Sequence, residues 1–340
     1  MARISLKKGL TLAIAFAVVY ILGLKSCWLK NKGLIEKRQM SDLSNDEEIE
    51  AGFPVADTNL KDEQAWLKKM DEKHETRINA LRRACSDHYN MSLESVTSLA
   101  TQPGRLRPLI VNDEHQFIYS IVYKVGSTNW ERLLVEDLGG YKNVPNQKLY
   151  SHKAIHWMPR FNSTDIQQRL SKYTIFMFVR NPLARILSAY RDKFVNHHNS
   201  VFSKMGRSIV ENYREKSDGS PATGNVTLTE FVRYLVDSPA HRANPHWKPI
   251  FGQNLPCQIR YDIVGKLEEA ADDIPYVLRR LRIDQLVSYA QGQKKSTSEK
   301  DLLRKHFSQV PNDLLQKLCL IYRADFILFG YDIPERNTEV

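Results

Sequence analysis

Short apolar runs alternate with amphipathic helical patterns along the chain beyond residue 107. Strand-like runs lead into residues 123–130, cover residues 173–179 and cover residues 259–264. Helical spacing is found at about residues 227–236, 267–281, 298–307 and 311–322. Strands that alternate with helices predict an α/β fold with a parallel sheet flanked by helices, and ligands then bind at the carboxyl ends of the strands.

The amino terminus carries a different pattern. An uninterrupted apolar run fills residues 9–24, with Arg3, Lys7 and Lys8 before it and Lys25 after it. This run is short for a bilayer span but suits a thin early secretory membrane, so it predicts a transmembrane signal anchor behind a short cytoplasmic tail, residues 1–8. A cleaved signal peptide is the alternative, but no small-x-small cleavage site follows the run. The anchor predicts a type II membrane protein with a luminal body.

The segment after the anchor, residues 25–84, is interpreted as a luminal stem, and residues 85–340 as one globular domain. Residues 41–62 are rich in Asp and Glu and lack an apolar period, which is typical of a solvated tether. Residues 63–85 instead place apolar residues at near-helical spacing among charges. This pattern predicts an amphipathic helix that packs on the globular domain, the alternative being a helix that mediates a homodimer.

The first strand-to-helix turn, residues 124–130, is suited to binding an anion. A buried strand delivers Lys124, Gly126 lets the backbone approach a ligand, and Ser127 and Thr128 lie where a following helix exposes unpaired N–H groups. In the nucleotide-triphosphate loop, Lys follows the second Gly and directly precedes Ser or Thr, whereas Lys124 precedes the glycine of this turn. This order disfavours ATP or GTP hydrolysis and a kinase, and it favours phosphate or sulfate binding.

A second turn of the same kind follows residues 173–179. Pro182 suits the first helical position, which puts Arg180 at the end of the strand and places Arg185 and Ser188 on one face of the next helix. A forked guanidinium beside a hydroxyl suits a terminal phosphate. The alternative is that both arginines are ordinary surface cations, but two such turns in one sheet favour a ligand with two phosphate-like ends.

The two turns resemble the donor-binding motifs of Golgi carbohydrate sulfotransferases. The similarity covers roughly residues 107–334 and extends to the following residues: His246 and Trp247; Pro256 and Cys257; Tyr261 to Glu268; Lys295, Ser296 and Thr297; Tyr322 to Phe326. It is greatest to the group of chondroitin 4-O-, dermatan 4-O-, N-acetylgalactosamine 4-O- and HNK-1 sulfotransferases, and within it to the chondroitin 4-O-sulfotransferases. It implies a P-loop-like sulfotransferase fold that moves a sulfuryl group from 3′-phosphoadenosine-5′-phosphosulfate to a glycan hydroxyl.

By this resemblance, the first turn holds the 5′-phosphosulfate of the donor and the second turn holds its 3′-phosphate. The residues implied at the first turn are Lys124, Val125, Gly126, Ser127, Thr128 and Asn129. The residues implied at the second turn are Arg180, Asn181, Pro182, Arg185 and Ser188. Lys124 would neutralise the charge that develops on the bridging oxygen as the sulfuryl group leaves. This chemistry needs no metal, and the sequence offers no Cys and His cluster with ligand spacing.

The acceptor hydroxyl also needs a base, and an imidazole is well matched to this task near neutral pH. His152 is the first candidate, because it lies between the two turns, where the related heparan 2-O-sulfotransferases also place a His. His246 and His156 are its rivals, although His246 beside Trp247 equally fits a packed aromatic pair. Glu131 is a weaker candidate, which we expect to face solvent on the helix after the first turn.

The charge of the chain indicates the class of its partner. A formal net charge of +10 suits a polyanion, for which nucleic acid would be the usual choice. The predicted anchor and three glycosylation acceptors, Asn90, Asn162 and Asn225, instead indicate a luminal domain out of reach of nucleic acid. The expected acceptor is an acidic glycan in the Golgi lumen, first the 4-hydroxyl of N-acetylgalactosamine in chondroitin. Dermatan, terminal N-acetylgalactosamine and HNK-1-type glucuronic acid are the alternatives.

The cysteines are where the chain departs from the family it resembles. Family members commonly have Cys where this chain has Ser120 and Ser127, and a Cys-x-Pro-Cys where it has residues 254–257. Part of the usual disulfide set therefore cannot form, and an odd number of luminal cysteines leaves one thiol free or paired between chains. These departures keep open a second class, a glycan-binding Golgi protein without turnover, although Lys124 and Arg180 are retained.

Overall fold

The computed structural model describes residues 55–196, 200–214, 224–287, 289 and 299–334. Residues from Lys61 onward form one compact unit. The predicted cytoplasmic tail and signal anchor lie outside the described residues. Among the helices that are described, none has both the length and the apolar content that a bilayer span requires.

A mixed five-stranded sheet, flanked by helices, forms the centre of this unit. Its strands are β1 Leu109–Asn112, β2 Phe117–Ser120, β3 His156–Trp157, β4 Thr174–Val179 and β5 Ile263–Lys266. Their spatial order is β3-β1-β2-β4-β5, with β2, β4 and β5 parallel and β1 antiparallel to both β2 and β3. The prediction of a parallel sheet is thus right only for the half that carries the two turns. Strands β1 and β2 pair as a hairpin because only a short turn joins them.

The α-helices are α1 Val55–Tyr89, α2 Val96–Ala100, α3 Ser127–Arg132, α4 Asn146–Leu149, α5 Ser163–Lys172, α6 Pro182–Tyr190, α7 Ser200–Tyr213, α8 Leu228–Asp237, α9 Ile250–Asn254, α10 Ala270–Arg280, α11 Glu299–Phe307, α12 Asn312–Ile321 and α13 Arg323–Leu328. Helices α3 and α6 each continue into a π-helical turn, at Leu133–Asp137 and Arg191–Val195. Short 3-10 helices lie at Pro103–Leu106, Met158–Arg160, Pro239–Ala243 and Leu267–Glu269.

Helix α8 begins where its sequence predicts. The hydroxyl of Thr227 accepts the N–H of Glu230 at 3.2 Å, and the Glu230 carboxylate accepts the N–H of Thr227 at 2.8 Å. This reciprocal capping box satisfies two N–H groups at the helix start. Strand β5, by contrast, begins four residues later than the apolar run at residue 259 indicates.

The long helix α1 packs on the globular body, as its amphipathic pattern predicts. Met70, Leu81 and Cys85 are almost fully buried in the same core as the sheet. On the same helix, Arg77 donates to Asp273 of α10 at 2.6 Å. The body therefore covers these apolar side chains of α1. The compact unit includes the later part of the segment interpreted as a stem.

The structure shows which cysteines pair and what stands at two positions where the family commonly has cysteines. Cys85 and Cys257 form a disulfide between α1 and the chain after α9, and Cys319 is the unpaired, buried cysteine of the described residues. Where family members commonly have cysteines, the Asn254 amide donates to the Ser120 hydroxyl at 2.8 Å. A buried polar contact therefore joins β2 to α9. The hydroxyl of Tyr261 donates to the Asn254 carbonyl at 2.6 Å and accepts from the Ser120 hydroxyl at 2.9 Å.

Candidate active site

The two predicted anion-binding turns meet at one edge of the sheet. Strands β2 and β4 are parallel neighbours, so their carboxyl ends lie side by side. The guanidinium of Arg180, at the end of β4, donates to the backbone carbonyl of Lys124, after β2, at 3.4 Å. Lys124 and Arg180 are also close enough for their charges to interact. The structure thus brings together the two cations that the sequence singled out from separate turns.

The backbone of the first turn is left-handed at two positions, Lys124 at φ +72° and Gly126 at φ +84°. Glycine adopts this conformation without strain, whereas for Lys124 it costs on the order of 1 kcal/mol. Gly126 is the N-cap of α3, and no described side chain caps this end of the helix. The N–H groups of Ser127 and Thr128 therefore remain for an anion, whereas that of Asn129 donates to the Gly126 carbonyl at 3.0 Å. Ser127 lies buried there, with Thr128 exposed beside it.

The ammonium of Lys124 is held by a carboxylate that the sequence analysis did not single out. Asp192 accepts from Lys124 at 2.8 Å, and the same oxygen contacts the ammonium of Lys193 at 3.0 Å. Burial lowers the pKa of Lys124 although Asp192 opposes that shift. Burial disfavours the Asp192 carboxylate, but its two lysine partners outweigh this and lower its pKa. Asp192 lies four residues after Ser188 in the chain, a spacing that could have indicated its place near the second turn.

The second turn offers side chains rather than free helix N–H groups. The Asn181 side chain accepts from the N–H groups of Leu183 and Ala184 at 3.0 and 3.3 Å, which caps α6. The Asn181 N–H donates to Glu268 at 2.7 Å. Asn181, followed by Pro182 at the first helical position, therefore shapes the turn. An anion at this turn has to be held by other groups, of which the predicted ones are Arg180 and the half-buried Ser188.

Arg185 occupies a structural position instead of the predicted phosphate site. The side chain is 1% exposed, so its guanidinium cannot reach a ligand that arrives from solvent. It donates to the backbone carbonyls of His246 at 3.5 Å, Trp247 at 3.5 Å and Lys248 at 2.5 Å. The Tyr322 hydroxyl donates to the Trp247 carbonyl as well, at 2.5 Å. Arg185 therefore fixes the segment that carries His246.

Arg185→Leu is expected to lower the free energy of unfolding by about 3 kcal/mol, because buried carbonyls lose their donor. Arg180→Ala is the matched change, and it should leave stability nearly unchanged while weakening the binding of adenosine 3′,5′-bisphosphate. Denaturant unfolding and titration calorimetry on both variants measure these effects. A stable Arg185→Leu protein that fails to bind the nucleotide would restore Arg185 as a phosphate ligand.

His246 lies beside the first turn. Its ring meets that of Tyr123 edge-on at 4.8 Å, and the charges of Lys193 and Lys124 act on it. Burial, together with these two cations, lowers the pKa of His246 to about 3. Its Nδ1 is buried and finds no hydrogen-bond partner among the described residues. The imidazole is therefore neutral, as a proton acceptor must be.

The other candidate bases have different surroundings. His152 packs edge-on against Tyr141 at 4.5 Å, and its Nδ1 accepts the N–H of Ala154 at 3.2 Å. His156 is exposed on β3. Glu131 is 5% exposed, so the expectation that it faces solvent is wrong, and burial raises its pKa to about 7. The reason is that α3 turns this position toward the sheet and not outward.

Tyr289 is a further residue at the first turn that the sequence analysis missed. A Cβ added to Gly126 would lie 3.3 Å from its hydroxyl, so the glycine is needed for this close approach. The side chains of Tyr289 and Asn129 are hydrogen-bonded, and the Tyr289 ring packs on Trp130 at 5.1 Å. Burial raises the pKa of Tyr289 to about 12, so its hydroxyl keeps its proton. Val125 is buried beneath this turn.

The three predicted glycosylation acceptors are all exposed. Asn90 follows the end of α1, and Asn225 precedes the capping box of α8. Asn162 caps α5, because its side-chain oxygen accepts the N–H of Asp165 at 2.9 Å. All three side chains thus face solvent, although the Nδ2 of Asn162 donates to the Asp165 carboxylate at 3.0 Å.

Comparison with known proteins identifies the family of this site. The family model described as "Sulfotransferase family" matches residues 107–332. Carbohydrate sulfotransferase 14 of Danio rerio is 37% identical over 78% of this chain and 73% of its own length. Carbohydrate sulfotransferase 10 of Xenopus laevis is 32% identical over 77% of each chain, and carbohydrate sulfotransferase 11 of Rattus norvegicus is 30% identical over 68% of this chain and 69% of its own. No solved structure matches significantly.

The chain therefore belongs to the sulfotransferase family, and its named relatives are carbohydrate sulfotransferases. The resemblance to this family is confirmed. The named relatives are three different enzymes, carbohydrate sulfotransferases 10, 11 and 14. The narrower assignment to chondroitin 4-O-sulfotransferases therefore stays a prediction.

Proposed function

We propose that this protein transfers a sulfuryl group from 3′-phosphoadenosine-5′-phosphosulfate to a hydroxyl of an acidic glycan. The observation that carries this proposal is the junction of the two turns, where Lys124 and Arg180 meet at the carboxyl ends of adjacent parallel strands. Membership of the sulfotransferase family supports the reaction class. The names of the relatives support a carbohydrate acceptor.

The described residues fit a donor with two anionic ends. Lys124 and the first N–H groups of α3 would hold the 5′-phosphosulfate, with Ser127, Thr128 and Asn129 around it. Arg180 and Ser188 would hold the 3′-phosphate, because the helix N–H groups at that turn are already bonded to Asn181. Arg185 would not contact the donor but would fix the segment that carries His246.

The donor, when bound, supplies an activated sulfuryl group. Lys124, kept in place by Asp192, neutralises the charge that develops on the oxygen between phosphorus and sulfur. His246 accepts the proton of the attacking hydroxyl, because its ring packs edge-on at 4.8 Å against Tyr123, the residue directly before Lys124. Its low pKa in the free protein rises as the anionic donor offsets the charges of Lys124 and Lys193.

The acceptor that we propose first is the 4-hydroxyl of N-acetylgalactosamine in chondroitin. Dermatan, terminal N-acetylgalactosamine and HNK-1-type glucuronic acid are the alternatives. The net charge of +10 and the exposure of Asn90, Asn162 and Asn225 support a polyanionic glycan and a luminal site. We place the protein in the Golgi membrane, held by a type II anchor at residues 9–24.

The test is sulfate transfer by the detergent-solubilised full-length protein from labelled donor. The acceptors are desulfated chondroitin, desulfated dermatan, heparosan and a glycan that ends in glucuronic acid, with disaccharide analysis of the products. Sulfate on position 4 of N-acetylgalactosamine supports the proposal in full. Transfer to another glycan supports the sulfotransferase reaction but changes the acceptor assignment. Donor-product binding without transfer to any of them would favour a glycan-binding protein without turnover.

A further inference from the structure

An aromatic row leads away from the first turn along the protein surface. It consists of Tyr123, Tyr150 and Trp157, with ring centroids 6.3 Å apart for the first pair and 4.5 Å for the second. Tyr123 directly precedes Lys124, and Trp157 lies on β3, the edge strand of the sheet. The row therefore connects the position of Lys124 to the edge of the fold.

The exposure of this row is not explained by packing. Tyr150 is 47% exposed, and Trp157 is half-buried. The neighbouring Leu149 is fully buried, so it already anchors the short helix α4 without help from Tyr150. Single exposed apolar residues are common on protein surfaces, but rings in mutual contact that end at a polar site are typical of a ligand-binding surface.

The rings are also held in place before any ligand arrives. The side chains of Tyr123 and Tyr150 are hydrogen-bonded to each other. His246 also packs edge-on against Tyr123, with ring centroids 4.8 Å apart. The row therefore has a defined arrangement next to the candidate base and to Lys124, and a ligand that stacks on it loses little affinity to ordering the protein.

The charge around the row selects the class of ligand. Residues 141–158 contain Lys142, Lys148 and Lys153, and they contain no Asp or Glu. All three lysines are exposed. The stretch of chain that carries Tyr150 and Trp157 therefore offers exposed cations and no carboxylate of its own, which suits a molecule that combines apolar ring faces with negative charge.

We propose that the aromatic row is the acceptor subsite, on which pyranose rings of an acidic glycan stack next to Lys124. A pyranose presents C–H groups on its faces and hydroxyls at its rim, so it can cover an aromatic ring while its carboxylates meet the flanking lysines. This inference rests on the proposed function, because it places the glycan substrate of that same site. Stacking here holds the chain so that one hydroxyl reaches the sulfuryl group.

The experiment compares the full-length wild-type protein with Tyr150→Ala and Trp157→Ala, using a desulfated chondroitin hexasaccharide as acceptor. We expect each variant to raise the acceptor KM by about tenfold, as for the loss of one stacked ring, while kcat changes less than twofold. The dissociation constant of adenosine 3′,5′-bisphosphate, measured by calorimetry, should not change. Trp66→Ala is the matched control, since this half-buried tryptophan packs on Arg279 in another part of the body.

Each other outcome has a definite meaning. An unchanged acceptor KM in a folded Tyr150→Ala protein overturns the inference and leaves the proposed function intact. A weaker nucleotide affinity in the variants would instead place the adenine of the donor on the row. If the wild type transfers no sulfate, hexasaccharide binding by calorimetry still decides: binding that Tyr150→Ala weakens supports the subsite, and no difference from wild type overturns it.

Discussion

Lys124→Ala is expected to lower kcat for sulfate transfer by about a thousandfold, the loss typical of removing one preplaced charge-stabilising group. The ammonium is fixed by Asp192 at 2.8 Å, and the Lys193 ammonium on the same oxygen belongs to the helical turn after α6 instead of the first turn. Glycan binding should persist, because the aromatic row does not depend on this charge. Labelled sulfate transfer at saturating donor and acceptor measures the effect.

Two further variants distinguish the loss of the Lys124 charge from a change in the backbone conformation of the loop. Lys124 has φ +72°, which glycine adopts without strain, so Lys124→Gly removes the ammonium while relaxing the loop. Equal losses in the Ala and Gly variants would assign the effect to the missing charge. Lys193→Ala, which removes the other partner of Asp192, should cost much less. A Lys124→Ala protein that retained a tenth of wild-type kcat would contradict the proposed mechanism.

His246→Ala is expected to lower kcat by about a hundredfold or more, the usual contribution of a positioned general base. His152→Ala should change kcat by only a few fold, because His152 packs against Tyr141 and its Nδ1 is already bonded to Ala154. Steady-state kinetics with both substrates saturating compares the two variants directly. If kcat falls strongly in His152→Ala and stays near the wild-type value in His246→Ala, His152 is the general base.

The pH dependence gives a second, independent test of the base. A general base works when it is unprotonated, so the rate falls as the pH drops through its pKa. With the pKa of His246 at about 3 in the free protein, kcat/KM for the donor should show no loss between pH 8 and about 6. Glu131, whose pKa is raised to about 7, would instead produce a loss in that interval. In that case Glu131→Gln, whose amide cannot accept the proton, should abolish transfer across the whole interval and identify the carboxylate as the base.

The second turn shows why residue types alone could not assign the donor site. Arg180 and Arg185 have the same chemistry and lie five residues apart, yet one contacts the first turn and the other is fully buried. A helix periodicity puts Arg185 and Ser188 on one face but does not tell which neighbour covers that face. Here the segment of His246 to Lys248 covers the arginine, and this segment is distant in the chain.

The missing family cysteines illustrate the same limit. The sequence shows that residues 120 and 254 cannot form a disulfide. Only the folded chain shows that Ser120 and Asn254 nevertheless touch, in a buried polar network completed by Tyr261. Buried hydrogen bonds of this kind can preserve the geometry between two elements without a covalent bond, although the Asn254 Oδ1 finds no partner among the described residues.

The sequence by itself determined the features that depend on residues close together in the chain. These are the two strand-turn-helix units, the helix at α8, the amphipathic stripe of α1 and the motifs that indicate the family. Such features follow from local spacing, because a helix, a strand end or a tight turn is specified by its own residues. They were sufficient to name the reaction class.

The tertiary structure alone decided the features that depend on distant residues meeting. It made the sheet mixed, buried Arg185 and Glu131, set Asp192 against Lys124 and brought His246 to the first turn. The physical reason is that burial and the pKa of a side chain are set by all the elements that pack around it. Local periodicity carries no information on which of those elements will be its neighbours.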